Sequence, residues 1–450
     1  MQTLNILRQN YTLFSRPYQL KLPLEIGHVI PDNDCVRLLG QFVEELDLRD
    51  LYSTYSRVKE NQVSPRQMLK IMLYAYHEHN YSSRGIEKSC RRDINYMYLL
   101  EGRTSPDHAT IARFRSIHFA QVADKYLAMT VNYLMELGEI SGREIFIDGT
   151  KIEANANKYT FVWKKAVTKN QAKLLDKTAL LVQECIETYG LREIWRGQVK
   201  EKHLGKLLKR LYKIKDEEGV EFVHGSGCRK TQLQKHIELL EEYTERLKEY
   251  SQKLEVLGDR NSYSKTDPDA TFMRMKEDAM LNGQLKPAYN LQLGVDSGYI
   301  SWLMLSPRPT DTNTLIPFLT GMEATLRHKY PVVVADAGYE SEENYSFLED
   351  HRITAMIKPA NYEISRTKKY KADISRKENM PYDPDGDFYT CRNGCRLYAC
   401  GINERKSFSG YICRETVYRC RDCVGCQYKA ECIKGRNWKI PEETVLKYAE

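Results

Sequence analysis

Glu144-Ile145-Phe146-Ile147-Asp148-Gly149-Thr150-Lys151-Ile152 decides how the rest of the chain is read. Ile145, Phe146 and Ile147 are strand formers in a short apolar run, which ends in an acid and a turn glycine. The pattern predicts a buried strand that delivers a carboxylate to the edge of a sheet. The design returns at Pro331-Val332-Val333-Val334-Ala335-Asp336-Ala337-Gly338-Tyr339, where an apolar run again ends in Asp with Gly two residues on. Either acid taken singly reads equally well as a cap on the turn after its strand. Two carboxylates at the ends of two buried strands are what a divalent-metal phosphoryl-transfer site needs, and the pair is read that way.

The chain of 450 residues has room for about three domains of typical size. No apolar run approaches the ~20 residues a membrane span needs. Residues 1–16 lack the apolar stretch and small-residue cleavage site of a signal peptide, so the expected location is the cytosol, with no membrane partner. A net charge of +7 and a pI near 8.6 permit nucleic-acid binding without demanding it. Eight of the twelve cysteines fall within residues 391–432, and in a cytosolic protein such clustering favours metal binding over disulfides.

Residues 1–140 read as a helical domain. Residues 34–51 predict an amphipathic helix with Val36, Leu39, Phe42, Val43 and Leu46 on one face. Ser64-Pro65-Arg66-Gln67 is a capping-box helix start with Pro at the first position. A helix follows over residues 84–92, and Ser105-Pro106-Asp107-His108 opens another. Short successive helices bearing Arg84, Lys88, Arg91, Arg92, Arg103, Arg113 and Arg115 suggest a helix-turn-helix-like unit that contacts DNA phosphates; the plainer reading is a solvated helix face.

After the Asp148 strand, residues 158–283 form a polar insertion. Leu233, Leu240, Leu247 and Leu254 recur at seven, with Tyr243, Tyr250 and Leu257 at the d positions, and the stretch around Leu174, Leu181 and Val182 offers a mate. An antiparallel helical hairpin is expected. Strand character resumes at Tyr289, and the order is strand, insertion, strand, strand, helix, strand, helix, strand. The predicted fold class is α/β: a mixed sheet over residues 141–157 and 284–375, interrupted by the helical insertion.

A cysteine-rich module over residues 380–440 closes the chain. Cys420-x2-Cys423-x2-Cys426-x5-Cys432 has the spacing of a structural Zn²⁺ site, and Cys391, Cys395, Cys400 and Cys413 of a second. An iron–sulfur cluster and unmetallated thiols are the alternatives. Lys265, Asp267 and Asp269 read as an active-site rim or as a linker turn, Asp296 as a turn former, and Glu340, Glu342 and Glu343 as caps of the helix after Asp336.

Taken in order, several of these pieces resemble bacterial insertion-sequence transposases of the DDE type, in the group with a helical insertion and a cysteine-rich segment. The resemblance rests on residues 105–114, on Ile147-Asp148-Gly149-Thr150-Lys151, on residues 263–272 and 285–290, and on Asp336-Ala337-Gly338-Tyr339. It implies an RNase H-like core in which Asp148, on the first strand, and Asp336, on the fourth, bind catalytic Mg²⁺ (or Mn²⁺). It implies double-stranded DNA partners, both terminal inverted repeats and target DNA, and it is compatible with a homodimer at the bacterial nucleoid. The expected reaction is cleavage and strand transfer of DNA phosphodiesters. The 188 residues between the acids (336 − 148) are accounted for by the insertion.

The family also places a Glu in a Tyr-x2-Arg-x3-Glu setting on a later helix. Here Tyr411 and Arg414 lead to Tyr418, and Tyr418 and Arg421 lead to Gly425. Glu442, Glu443 and Glu450 lie in an expected tail helix without those neighbours. The sequence therefore predicts a product truncated before its catalytic Glu, with Mg²⁺-dependent cleavage absent or very slow. The alternative function is a catalytically inactive remnant that only binds DNA.

Overall fold

The computed structural model describes residues 27, 29–55, 63–192, 200–225, 227, 229–275, 283–407, 409–420, 422–433 and 446–449. The sequence readings on Glu442, Glu443 and Glu450 fall outside them. The chain divides into two compact units, Met1–Glu139 and Ile140–Glu450.

The first unit is helical: α1 (Cys35–Glu45), α2 (Arg49–Ser53), α3 (Pro65–His77), α4 (Ser83–Arg92), α5 (Ile94–Leu99), α6 (His108–Arg113) and α7 (Ala123–Glu136). The expected single helix over 34–51 is broken. The Asp47 carboxylate accepts from the Arg49 N–H at 3.1 Å, a local side-chain turn that interrupts the helix before a separate short one begins. The capping box at Ser64 and Gln67 is present and starts α3. α3 is the central helix, burying Met68, Leu69, Ile71, Met72 and Ala75 against Val36, Val43, Ile86 and Tyr96. At the next expected start, the cap is Asp107 and not Ser105: Asp107 Oδ1 accepts from the Thr110 N–H at 2.7 Å, and Pro106 is buried before the helix begins.

The second unit is built on β1 (Glu144–Glu153). Its side chains alternate, with Ile145, Ile147 and Gly149 buried and Phe146, Asp148 and Thr150 exposed, as a strand with one covered face requires. The chain then leaves through β2 (Phe161–Trp163) into α8 (Lys164–Thr188), α9 (Glu201–Glu217) and α10 (Gln232–Leu257), and returns through β3 (Ser262–Ser264), which pairs antiparallel with β2. The insertion is a three-helix bundle and not a hairpin. Leu204, Leu207 and Leu211 of α9 are fully buried among Leu174, Leu181, Cys185, Leu233, Ile237 and Leu240. Six Lys and Arg residues within α9 mask that i, i+3, i+7 stripe in the sequence. The end of the leucine heptad turns elsewhere, because Leu254 and Leu257 pack with Val162, Val167 and Tyr263 at the base.

The sheet continues with β4 (Thr271–Arg274), β5 (Leu285–Asp296) and β6 (Tyr299–Ser306). A short 3₁₀ turn (Asp311–Asn313) then leads to α11 (Leu315–Leu326), β7 (Val332–Ala335), α12 (Glu342–Asp350) and β8 (Thr354–Ile357). Antiparallel β6 and β5 lie beside β1, and parallel β7 and β8 lie on its other side, with β4 pairing the start of β5. The expected α/β, RNase H-like arrangement is observed. α11 covers the buried face. Gly294 of β5 stands opposite Ile147, and a Cβ there would meet Ile145 Cδ1 at 2.6 Å and Phe318 Cζ at 2.8 Å. The absent side chain is what lets α11 approach the central strand.

After α13 (Tyr362–Ser365) and α14 (Lys368–Ala372) comes a second, antiparallel sheet. It contains β9 (Tyr382–Asp383), β10 (Phe388–Thr390), β11 (Arg396–Lys406) and β12 (Ile412–Cys420). After α15 (Lys429–Cys432) follows β13 (Leu446–Ala449). Residues 446–449, expected in a tail helix, are a strand paired with β12. Gly294→Ala should destabilise the second unit by about 1–3 kcal/mol through overpacking, measured by urea denaturation. An unchanged midpoint would show that α11 has room to move.

Candidate active site

The parallel pairing of β1 and β7 runs Glu144 with Val332, Ile145 with Val333, Phe146 with Val334 and Ile147 with Ala335. The residues next in line on the two strands are Asp148 and Asp336. Neighbouring strands lie about 4.8 Å apart, so the register sets both acids side by side where β1 and β7 part. Both are exposed, while Ile147 and Ala335 before them point into the core. Asp148 Oδ1 accepts from the Gly149 N–H at 2.8 Å. Asp336 caps the turn Ala337–Tyr339, its Oδ1 accepting from the Gly338 N–H at 2.9 Å. The turn expected after Asp148 is absent: β1 runs on to Glu153, with Gly149 paired to Gln292 of β5. At Asp336 the turn cap is present and engages one carboxylate oxygen, so it is compatible with the ligand reading. Among the described residues neither acid has an ion pair.

Beneath the pair lies a buried polar network that the sequence analysis did not single out. Asp311, at the start of the turn before α11, accepts at Oδ1 from Asn290 Nδ2 at 2.7 Å and Gln292 Nε2 at 2.9 Å. Gln292 Oε1 accepts from Thr314 Oγ1 at 3.0 Å and from the Tyr339 hydroxyl. Asn290, Gln292, Thr314 and Tyr339 are all at most 1% exposed. Burial first, and then the carboxylates of Asp311, Asp148 and Asp336, push the Tyr339 phenol far above its ordinary range, so it remains a neutral donor. Asp311 reaches the backbone beside both acids, mid-strand at Gly149 and in the turn at Gly338. A Cβ on Gly149 would stand 2.5 Å from its Oδ1, and one on Gly338 3.4 Å from its Oδ2. The available signal was the polar period of two, Asn290 and Gln292, on a strand whose polar side faces inward.

Two family models match the chain: a transposase domain (DUF772) over residues 24–116 and a transposase DDE domain over residues 260–395. The chain belongs to the DDE-type insertion-sequence transposases. No curated protein and no solved structure matches it. The second match spans Asn290, Gln292, Asp311 and Asp336. Asp148 precedes it and is joined to the transposase core by the β1–β7 register.

Other residues of the transposase take simpler roles. Asp296 is buried and accepts from Ser141 Oγ at 2.8 Å, the Gly142 N–H at 2.7 Å and Ser297 Oγ at 2.8 Å, pinning the hairpin turn to the start of β1. Asp267 accepts from the Tyr289 hydroxyl at 2.8 Å. Glu342 and Glu343 lie in the first turn of α12, whose cap is Ser341. Tyr411, Arg414 and Tyr418 lie at or on β12, so that stretch is not a helix. In the helical unit, Arg84, Lys88, Arg91, Arg92, Arg103 and Arg113 are exposed, with Arg91 paired to Glu87. Arg115 differs: it donates to the Tyr81 carbonyl at 3.0 Å and lies over the Tyr76 ring, so its guanidinium is engaged in packing. The sulfur of Cys420 lies with those of Cys391 and Cys395, all within 4.8 Å of one another.

A cleft of roughly 870 Å³ opens beside the polar network. It is lined by Lys151 of β1, Arg274 of β4, Arg308, Thr310 and Asn313, with Trp163 and Phe272 on its wall. Among the described residues no helix is long and apolar enough to cross a membrane. Gln292→Leu should cost at least about 2 kcal/mol in chemical denaturation, because it strips buried partners from Tyr339, Thr314 and Asp311, each worth about 1–3 kcal/mol. A neutral result would mean the network re-forms around water.

Proposed function

We propose that this transposase holds a divalent cation at Asp148 and Asp336 and uses that site to cleave and join DNA phosphodiesters. The register that ends Ile147 and Ala335 together, leaving the two acids adjacent, carries the reading. The residues fit the ion. They offer hard oxygen donors, they are exposed, and among the described residues no Lys or Arg neutralises them. When bound, a cation there supplies Lewis-acid polarisation of a phosphodiester and offsets charge on the leaving oxygen. The protein's own part is to hold the carboxylates. Gly149 and Gly338 N–H groups orient one oxygen of each, and the Asp311 network supports the β1 backbone at Gly149 and the turn at Gly338 from below.

Duplex DNA binds, in this proposal, to the helical unit. On α4, Ile86 and Cys90 face the core, while Arg84 and Lys88 project from the opposite side with Arg92 near them. Arg113 is exposed at the end of α6. Such a strip contacts phosphates and confers salt-dependent affinity. A second reading, binding without catalysis, draws support from the acids after β8. Among the described residues, Glu363 pairs with Lys358, Glu404 with Arg414 and Glu415 with Arg405, so none of these three is offered to the aspartates.

Mn²⁺ titration followed by electron paramagnetic resonance separates these readings when run beside a plasmid-nicking assay. The catalytic reading expects Mn²⁺ binding and nicking, both reduced to background in Asp148→Asn and Asp336→Asn. Nicking that survives both changes overturns it, and intact DNA binding with no wild-type nicking selects the binding-only function. For the helical unit, replacing Arg84, Lys88, Arg92 and Arg113 by Ala together should weaken binding to a short generic duplex. The slope of log K against log salt should become shallower by about 0.9 for each phosphate no longer neutralised. An unaltered slope places the DNA elsewhere.

A further inference from the structure

The geometry points to a closed tetrathiolate zinc site made by Cys391 and Cys395 together with Cys420 and Cys423, bridging two turns that are far apart in sequence. Cys391 and Cys395 flank the tight turn between β10 and β11. The Cys391 N–H donates to the Cys395 carbonyl and the Gly394 N–H to the Cys391 carbonyl, each at 2.9 Å, with Gly394 at φ +76° as the turn demands. Cys420 ends β12, and Cys423 follows one turn later. In the β11–β12 ladder Leu397 pairs with Cys420, so the two turns stand at the same end of the sheet. The sulfurs of Cys391, Cys395 and Cys420 lie within 4.8 Å of one another. The Cys423 thiol turns back to the Cys420 carbonyl at 4.0 Å, and Cys423 shares a cavity wall with Cys391 and Cys420. Four sulfurs at about 2.3 Å around a tetrahedral zinc stand about 3.8 Å apart, so a small contraction closes the site.

Room and chemistry agree. A cavity of about 20 Å³ lies among Cys391, Cys420 and Cys423, with Cys426 and Cys432 also on its wall, which is space for a single small occupant. None of these cysteines is in a disulfide. Cys420 and Cys423 are at most 4% exposed, and buried sulfur donors with no open position suit a structural ion. The contiguous set Cys420, Cys423, Cys426 and Cys432 suggested by spacing is replaced here by a set that crosses between hairpins. Cys400 and Cys413 take no part. Cys400 sits at the bulge on β11 with its thiol on the Val417 carbonyl. Cys413 is seven residues from Cys420 along β12, roughly 20 Å at strand rise.

The test uses the full chain. Elemental analysis should find close to one zinc per chain, and Co²⁺ in its place should show the charge-transfer and d–d bands of tetrahedral thiolate coordination. Alkylation of the native zinc-loaded chain, read by mass spectrometry, should leave Cys391, Cys395, Cys420 and Cys423 protected while Cys400 and Cys413 react; this needs no variant to fold. Cys391→Ser and Cys395→Ser should lose zinc, and Cys426→Ser and Cys432→Ser should keep it. The opposite pattern, with Cys426 and Cys432 protected and Cys391 and Cys395 reactive, overturns the assignment. So does a chain that binds no zinc, or one that carries iron with labile sulfide.

Discussion

The site depends on one backbone constraint, the parallel register of β1 against β7. A strand's side-chain period is two, so a slip of one residue on either strand would turn its acid to the opposite face. Two features hold the register. The apolar runs Ile145-Phe146-Ile147 and Val332-Val333-Val334 bury one face under α11, and Asp296 ties the start of β1 to the β5–β6 turn through two hydrogen bonds, from Ser141 and Gly142. A slip would expose the apolar set and break those bonds together. Burying a side chain of this size contributes about 1.5–3 kcal/mol, so the burial of several such residues outweighs the mutual repulsion of two exposed carboxylates screened by solvent.

Close approach is the second requirement. Gly149 and Gly294 are both places where a methyl group would collide, one with Asp311 and Gln292, the other with Ile145 and Phe318. The first clearance brings a carboxylate against the backbone beside Asp148, and the second brings α11 down on the sheet. A carboxylate drawn partly out of water needs hydrogen-bond partners. The half-buried Asp311 has them in the amides of Asn290 and Gln292, and Gln292 in turn accepts from Thr314 and Tyr339. The network links the hairpin, the turn before α11 and the turn after β7, all three of which border the acids.

What the sequence disclosed follows from the range of the forces involved. Acids that close an apolar run, capping boxes and the order of core elements are local signals, although β1 runs five residues past Asp148, which the turn-like Asp-Gly pair concealed. Asp148, Asp336, the β5–β6 hairpin and the start of α3 were legible from them, and the resemblance supplied the RNase H-like frame. Contacts across the fold were not. Asp311 reads as an ordinary helix start until the folded strand brings Asn290 and Gln292 to it. α9 was hidden because cationic residues outnumber its leucines. The cysteines show the same range: spacing groups Cys420 with Cys423, Cys426 and Cys432, which line one cavity, while only the antiparallel pairing of β11 and β12 carries Cys420 to Cys391 and Cys395.

The cysteine-rich sheet also touches the element that follows Asp336. At the far end of the β11–β12 hairpin, Ser407 and Ser409 donate to Glu343, and the Tyr411 hydroxyl donates to Glu342 at 3.1 Å. These bonds land on the first turn of α12, where carboxylates already favour the positive end of the helix dipole. Each is a partly exposed contact worth on the order of 1 kcal/mol. They are too weak to set the position of Asp336, which the β7 ladder and the Gly338 N–H already hold. Their effect is on the hairpin: a two-stranded ribbon is marginal alone. This one is anchored at its tip by α12 and at its base by the sulfur cluster, so the cysteines act on the core through the order of the ribbon and not through the acids themselves.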